Sequence, residues 1–283
     1  LLLLTVAAAS DCSCEDTRKL HPTASAWQAA QRLEVYELLE QHWDFRRTGY
    51  TLSSDDDQLV QQAQLRVRDD TQGEAPAAHV YGELTVNGVR QLAGFMGLDE
   101  VDKAVFVDLG AGVGKIVAQV YLEYPGVRRA LGIELSPGRA ERGKEAFEEV
   151  AAEHLPRLRR RLLLGRALQE DEKTLTSLED AVGEAVFMEG DMFQLDLSEA
   201  THVYMASTSW CPAMLRKLAD KLQREATHLQ VAASLKKLPD GLPGFEEVSV
   251  QVQTSWTRKD PAGSRVYMYR LAQQCDSKEP LAE

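Results

Sequence analysis

Ten residues, Val105-Phe106-Val107-Asp108-Leu109-Gly110-Ala111-Gly112-Val113-Gly114, constrain the fold more than any other part of the chain. The apolar start suits a strand buried on both faces of a parallel sheet. It runs through Asp108 into three glycines and then into an apolar stretch with helical spacing, from Val113 to Tyr121. Strand, glycine turn and helix start in this order form the ligand-bearing unit of an open α/β sheet. Glycine lets the chain turn sharply and lets a ligand approach bare backbone. A helix N-terminus adds N–H groups without partners in the helix. The dinucleotide fingerprint requires Gly-x-Gly-x-x-Gly. Here the spacing is Gly-x-Gly-x-Gly, and Lys115 stands where the third glycine of that fingerprint would fall. The same kind of turn serves nicotinamide enzymes and α/β domains that hold no nucleotide.

Two further strand ends point to a nucleoside. Ala130-Leu131-Gly132-Ile133 ends in Glu134, placed to accept both hydroxyls of a ribose. Ala185-Val186-Phe187-Met188-Glu189 runs into Gly190-Asp191-Met192. Asp191 can accept from an exocyclic amine, and Met192 or Phe193 can lie against an adenine ring. Each feature alone is ordinary for a strand end. The three in order, with helical segments between them, favour a nucleoside-containing cofactor.

The chain has 283 residues, 44% of them hydrophobic, enough for one large domain or one domain with a small extension. A net charge of −12 argues against broad nonspecific nucleic-acid binding and is compatible with a basic protein substrate. Cys12, Cys14, Cys211 and Cys275 lack zinc-ligand spacing and imply neither a metal nor a disulfide framework. Residues 1–10, Leu-rich and then Ala-rich, resemble the end of a signal-peptide apolar region, too short to span a bilayer. A misplaced reading-frame start accounts for them nearly as well.

Three regions are expected: a targeting or disordered segment over 1–22, a helical N-terminal region over 23–78, and the cofactor domain over 79–283. Helices are expected over 24–46 and from Asp55 to about Val67, with a polar linker over 69–78. In the domain, helices at 86–96, 137–153 and from Pro212 alternate with strands. The fourth and fifth strands are expected at 202–206 and 228–232. Residues 154–182 read as an insertion whose Arg157, Arg159, Arg160 and Arg161 suit a solvated helix face better than a docking site. Alternation at Val248, Val250, Val252, Val266 and Met268, with a turn over 258–263, predicts a terminal antiparallel hairpin. The fold class is therefore α/β, a Rossmann-like and mostly parallel sheet with a C-terminal antiparallel hairpin and an N-terminal helical segment.

The glycine turn behind an acidic residue resembles the first motif of the S-adenosylmethionine (SAM) dependent class I methyltransferases. With it go His79-Val80-Tyr81-Gly82-Glu83 upstream, Glu189-Gly190-Asp191-Met192, Thr254-Ser255-Trp256-Thr257 and Tyr267. Together these resemble the non-SET, Dot-type ("disruptor of telomeric silencing") histone lysine methyltransferases, over roughly residues 79–271. The resemblance implies that Tyr81, Gly82 and Glu83 form a loop closing over the methionine end of SAM, expected to be a mobile lid. It implies that Asp108, Gly110, Gly112, Gly114 and Lys115 line the cofactor turn. Glu134 would hold the ribose, and Asp191 with Met192 the adenine. Lys115 replaces the family's Gln, and Met192 its aromatic residue. After the fourth strand the family carries Asn-Asn-Phe, where this chain has Ala206-Ser207-Thr208-Ser209-Trp210. Ser207, Thr208, Trp256 and Tyr267, with Trp210 beside them, are the candidates for the methyl-transfer channel. The resemblance implies a protein lysine acceptor, a histone among the candidates, and hence a chromatin regulator in the nucleus. A real targeting segment would route the chain elsewhere. A class I methyltransferase for a small molecule or non-histone protein stays open, as does a non-catalytic SAM-fold module. No metal is expected, and no nucleic-acid partner is signalled.

Overall fold

A computed structural model describes residues 26–43, 49, 54–67, 82–153, 184–257 and 262–272. The expected targeting segment, Tyr81, the 69–78 linker and the 154–182 insertion fall outside the described residues. Two helices come first, α1 (Ala26–His42) and α2 (Ser54–Val67), followed by α3 (Val86–Met96). Then β1 (Ala104–Leu109), α4 (Lys115–Glu123), β2 (Val127–Glu134), α5 (Pro137–Glu153) and β3 (Glu184–Glu189) alternate. They lead to β4 (His202–Met205), α6 (Pro212–Glu225), β5 (Val231–Ser234), β6 (Phe245–Val252) and β7 (Ser264–Leu271).

The seven strands form one sheet in the order β3-β2-β1-β4-β5-β7-β6. β3, β2, β1, β4 and β5 are parallel, and β7 pairs antiparallel with both β5 and β6. This is the sheet of the class I methyltransferase fold, and it matches the expected architecture. All six residues of β1 are buried because helices cover both faces. Val105, Val107 and Leu109 enter one core with α6, while Ala104 and Phe106 enter the other with α1, α3, α4 and α5. Alternation puts Asp108 on the second face.

Local chemistry sets the ends of α3. The Thr85 hydroxyl accepts from the Gly88 N–H at 3.0 Å, and Gly97 closes the helix in the left-handed region. β5 starts three residues later than expected, because residues 226–229 are used in a turn with Leu229 N–H bonded to the Ala226 carbonyl. The shift moves Ser234 to the end of β5. His202, buried at the start of β4, receives from or donates to the Thr201 hydroxyl and bonds the Met96 carbonyl. Burial pushes its pKa down to about 4, so this imidazole is a neutral structural link to α3.

Candidate functional site

The C-terminal ends of β1, β2, β3, β4 and β5 lie side by side, the edge at which open α/β sheets hold ligands. The glycine turn 110–114 leaves β1 there. Gly110, Gly112 and Gly114 all have positive φ, which side chains resist. At Gly114 the need is double, since a Cβ would also overlap the ring of Phe187 from β3.

The N–H groups of this turn are largely engaged within the protein. Gly110 and Ala111 both donate to the Ile133 carbonyl at 2.9 Å, and Gly114 donates to Ala111. Gly112 donates to Glu134 Oε2 at 2.9 Å, while Ser136 N–H donates to Oε1 at 3.0 Å. Glu134 is thus buried at the end of β2 and clamps the turn, with Arg139 Nη1 at 4.0 Å. This turn does not present the fan of open N–H groups that a pyrophosphate needs.

Asp108 supplies the opposite chemistry. Its side chain is buried and neither carboxylate oxygen has a hydrogen-bond partner among the described residues. Burial, and then the charge of Glu134, push its pKa up to about 8. A buried acceptor of this kind suits a ligand that brings a cation or N–H donors, and costs stability without one.

The other cofactor candidates lie around this centre. Gly190 N–H donates to the Glu134 carbonyl at 2.8 Å, which fixes the end of β3 beside that of β2. Asp191 is exposed, its Oδ1 accepting from Phe193 N–H at 2.9 Å, and Met192 is buried in the α6-side core. Lys217 of α6 stands 4.1 Å from the centre of the Phe193 ring. Lys115 turns away from the ligand edge: its ammonium lies 3.6 Å from Glu40 of α1. The carboxylate it meets belongs to the N-terminal region.

The segment expected over the methionine end of SAM is joined to the segment of Trp256, far away in sequence. Leu84 bridges Thr254 in antiparallel fashion. Ser255 N–H donates to the Glu83 carbonyl at 2.8 Å, and Glu83 N–H donates to the Ser255 hydroxyl at 3.2 Å. Trp256 is 47% exposed and its ring lies on Gly82, where a Cβ would overlap it. Gly82 and Glu83 are therefore bonded to and packed against the loop between β6 and β7.

Ser207 is a correction. It is fully buried, its Oγ lies 2.7 Å from Ser234 Oγ, and it accepts from Lys236 N–H at 2.8 Å. These bonds lock the ends of β4 and β5 together and turn the hydroxyl away from any acceptor. Thr208 is half-buried in the 3-10 turn that follows β4. Tyr267 is half-buried, pairs with Ser234 across β5 and β7, and faces the α6-side core.

Several residues that shape the site carried no functional signal in the sequence. Trp43 of the N-terminal region donates from Nε1 to the Val113 carbonyl at 2.7 Å, holding the glycine turn from outside. Asp56 of α2 accepts from Gly138 N–H at 3.4 Å at the start of α5. Trp43 lies just past α1 and Asp56 in the first turn of α2, and in the sequence they read as an ordinary apolar residue and an ordinary cap. Among the described residues, no His, Cys, Asp and Glu group could hold a metal ion, and no helix is long and apolar enough to cross a membrane.

The sheet order and glycine turn define a SAM-dependent methyltransferase fold. A family model described as "Histone methylation protein DOT1" matches residues 59–155, about a third of the chain. The match takes in residues 82–84, α3, the glycine turn, Glu134 and α5 and ends before β3 and all that follows it. No curated protein matches. Among solved structures, an RNA methyltransferase from Salinibacter ruber in complex with S-adenosyl-L-homocysteine is 22% identical, with 69% of this chain and 97% of that chain covered and a TM-score of 0.38. Magnesium protoporphyrin IX methyltransferase from Synechocystis PCC 6803 is 13% identical, with 89% and 100% covered and a TM-score of 0.43. A putative RNA methyltransferase from Pyrococcus horikoshii is 14% identical, with 78% and 99% covered and a TM-score of 0.38. At TM-scores below 0.5 these likenesses carry no weight of their own, and the fold rests on the strand order.

Proposed function

We propose that this chain is a SAM-dependent methyltransferase, and that its acceptor is a protein lysine, as in the Dot-type enzymes. The observation that carries the cofactor reading is the buried, unpartnered Asp108 carboxylate under a glycine turn whose own N–H groups are engaged. That pairing suits a cofactor with an ammonium and a sulfonium and disfavours a pyrophosphate. When bound, SAM would supply an electrophilic methyl group for in-line displacement by a neutral nucleophile. Asp108 would take the amino-acid end, Glu134 the ribose, and Asp191 with Met192 the adenine.

The protein has to orient the acceptor and strip its water. A lysine has a reference pKa of about 10.4, so it must lose a proton before attack. An apolar, aromatic surround favours the neutral amine. Trp256 on Gly82, with Tyr267 and Thr208 near the ends of β5 and β4, supports such a surround. The partial Dot-type match supports a histone acceptor, which would place the chain in the nucleus.

One observation favours a second reading. Ser207 is turned inward, and no side-chain amide stands after β4, so a small molecule or a non-histone protein also fits. An assay with tritiated SAM and, as acceptors, core histones, nucleosomes and a cell extract separates the two. Label on a histone lysine is expected. Label confined to a small-molecule fraction would overturn the lysine reading, and no transfer with no S-adenosylhomocysteine (SAH) binding would overturn the enzyme.

A further inference from the structure

The turn after β4 is held by a residue of the segment that follows β5. Lys236 N–H donates to Ser207 Oγ at 2.8 Å, and Lys236 Nζ donates to the Trp210 carbonyl at 2.8 Å. Ser207 Oγ also meets Ser234 Oγ at 2.7 Å. One residue thus grips both ends of the turn 207–210, by its backbone and by its side chain. Trp210 is only 7% exposed, and its ring edge would stand 3.2 Å from a Cβ on Gly110, the first residue of the glycine turn. Gly110 follows Leu109, one residue past the unpartnered Asp108. The indole is therefore fixed against the cofactor turn, on the face of β1 opposite Asp108.

We propose that Lys236 is a positioning residue that latches the 207–210 turn, so that the Trp210 indole forms a fixed wall of the cofactor crevice at Gly110. The proposal rests on the cofactor reading above and adds the residues that shape its wall. Lysine suits this task because one ammonium on a long stem can reach a carbonyl across the gap between two loops. Burial lowers the Lys236 pKa, with the nearby Cys211 acting in the opposite sense, which fits an ammonium drawn partly out of water to serve a carbonyl. A turn held this way keeps Trp210 from swinging into the crevice or out of it.

The test uses the full chain and SAH as the probe. Lys236→Met should raise the SAH Kd about tenfold, whereas Lys236→Arg, which can still donate to the Trp210 carbonyl, should stay within about threefold of wild type. SAH should change the tryptophan emission of wild type and of the Arg variant. Trp210→Phe should abolish most of that change and weaken SAH binding about fivefold. If Lys236→Met does not fold, Lys236→Gln and Trp210→Phe carry the same comparison. Unchanged SAH affinity and emission response in Lys236→Met (or Gln) and in Trp210→Phe would overturn the latch. A melting temperature lowered without any change in Kd or emission response would do the same, since it would make Lys236 merely structural. Failure of the wild type itself to bind SAH would strike the cofactor reading beneath it, a distinct result.

Discussion

The proposed cofactor half of the site and its proposed acceptor half are assembled from different kinds of contact. In the cofactor half, Gly112 and Glu134 bond across 22 residues of sequence, and one strand–turn–helix–strand unit supplies Asp108, the three glycines and Glu134. In the acceptor half, the Ser255 segment bonds Glu83 of the expected cofactor loop across 172 residues, and Tyr267 reaches Ser234 only because β7 is inserted between β5 and β6. The first half is rigid by local necessity, through left-handed glycines and a buried carboxylate clamp. The second is rigid only if the sheet is complete. Changes in the first should thus be felt on the cofactor, and changes in the second on the acceptor.

The largest effect is expected at Gly114. Gly114→Val forces a branched side chain into φ +72° and into the Phe187 ring. Backbone strain and overpacking cost about 1–3 kcal/mol each. At about 2–4 °C per kcal/mol, Tm should fall by roughly 5 °C or more, with SAH binding lost. A variant with wild-type Tm in calorimetry would break the claim that this half is locally determined.

Asp108→Asn sharpens the comparison, because it keeps the shape and removes the ability to ionise against a cationic ligand. A hydrogen bond to a charged group contributes about 1.5–3 kcal/mol, so SAH should bind roughly 10–150-fold more weakly. The free protein should respond in the opposite direction. The folded pKa of Asp108, about 8, lies above the unfolded value of 3.8, so the folded state holds the proton more tightly. The stability this gives is complete below pH 3.8, declines as pH rises through the window to 8, and is gone above it. Urea unfolding from pH 4 to 9 should therefore show wild type losing stability relative to Asp108→Asn. Parallel curves for the two proteins would mean that Asp108 ionises freely.

Glu134→Ala comes next. It removes the acceptor of Gly112 and Ser136 N–H as well as the proposed ribose partner, and SAH should bind at least tenfold more weakly. An unchanged Kd by isothermal titration would sink that assignment.

On the acceptor side the effects should be smaller and of another kind. Tyr267→Phe should lower turnover while leaving SAM affinity within about twofold, since only acceptor contacts are lost. Full turnover on the best acceptor would deny the hydroxyl a role, and loss of folding would make Tyr267 a core residue. Ser255→Ala is the mildest test. It removes one hydrogen bond, of about 0.5–1.5 kcal/mol, and should speed amide exchange at Glu83 without moving the SAH Kd. No change in exchange at Glu83 would show that the backbone bridge alone tethers the 82–85 segment.

The cofactor half was legible because its signals are short-range. Asp108, the three glycines, Glu134 and Asp191 stand at strand ends that hydrophobic runs mark out, and the structure brings them to one edge. Lys115 was misjudged for a reason of geometry: it begins α4 on the side facing α1, where Glu40 waits. Ser207 was misjudged because β5 begins at Val231 and not at His228. Three residues of shift bring Ser234 and Lys236 to its hydroxyl.

By itself, the sequence determined the α/β class, the alternation of helices and strands, the terminal hairpin and the place of the glycine turn. Those follow from periodicity and from what glycine alone permits, both properties of neighbouring residues. Tertiary structure alone decided that Trp43 holds Val113, that Trp256 lies on Gly82, and that Lys236 grips the 207–210 turn. It also decided that Asp108 has no partner among the described residues. Each depends on which side chain arrives from a distant segment, and no local pattern encodes that, because burial and partnering are set by the packed sheet and not by the residues next in line.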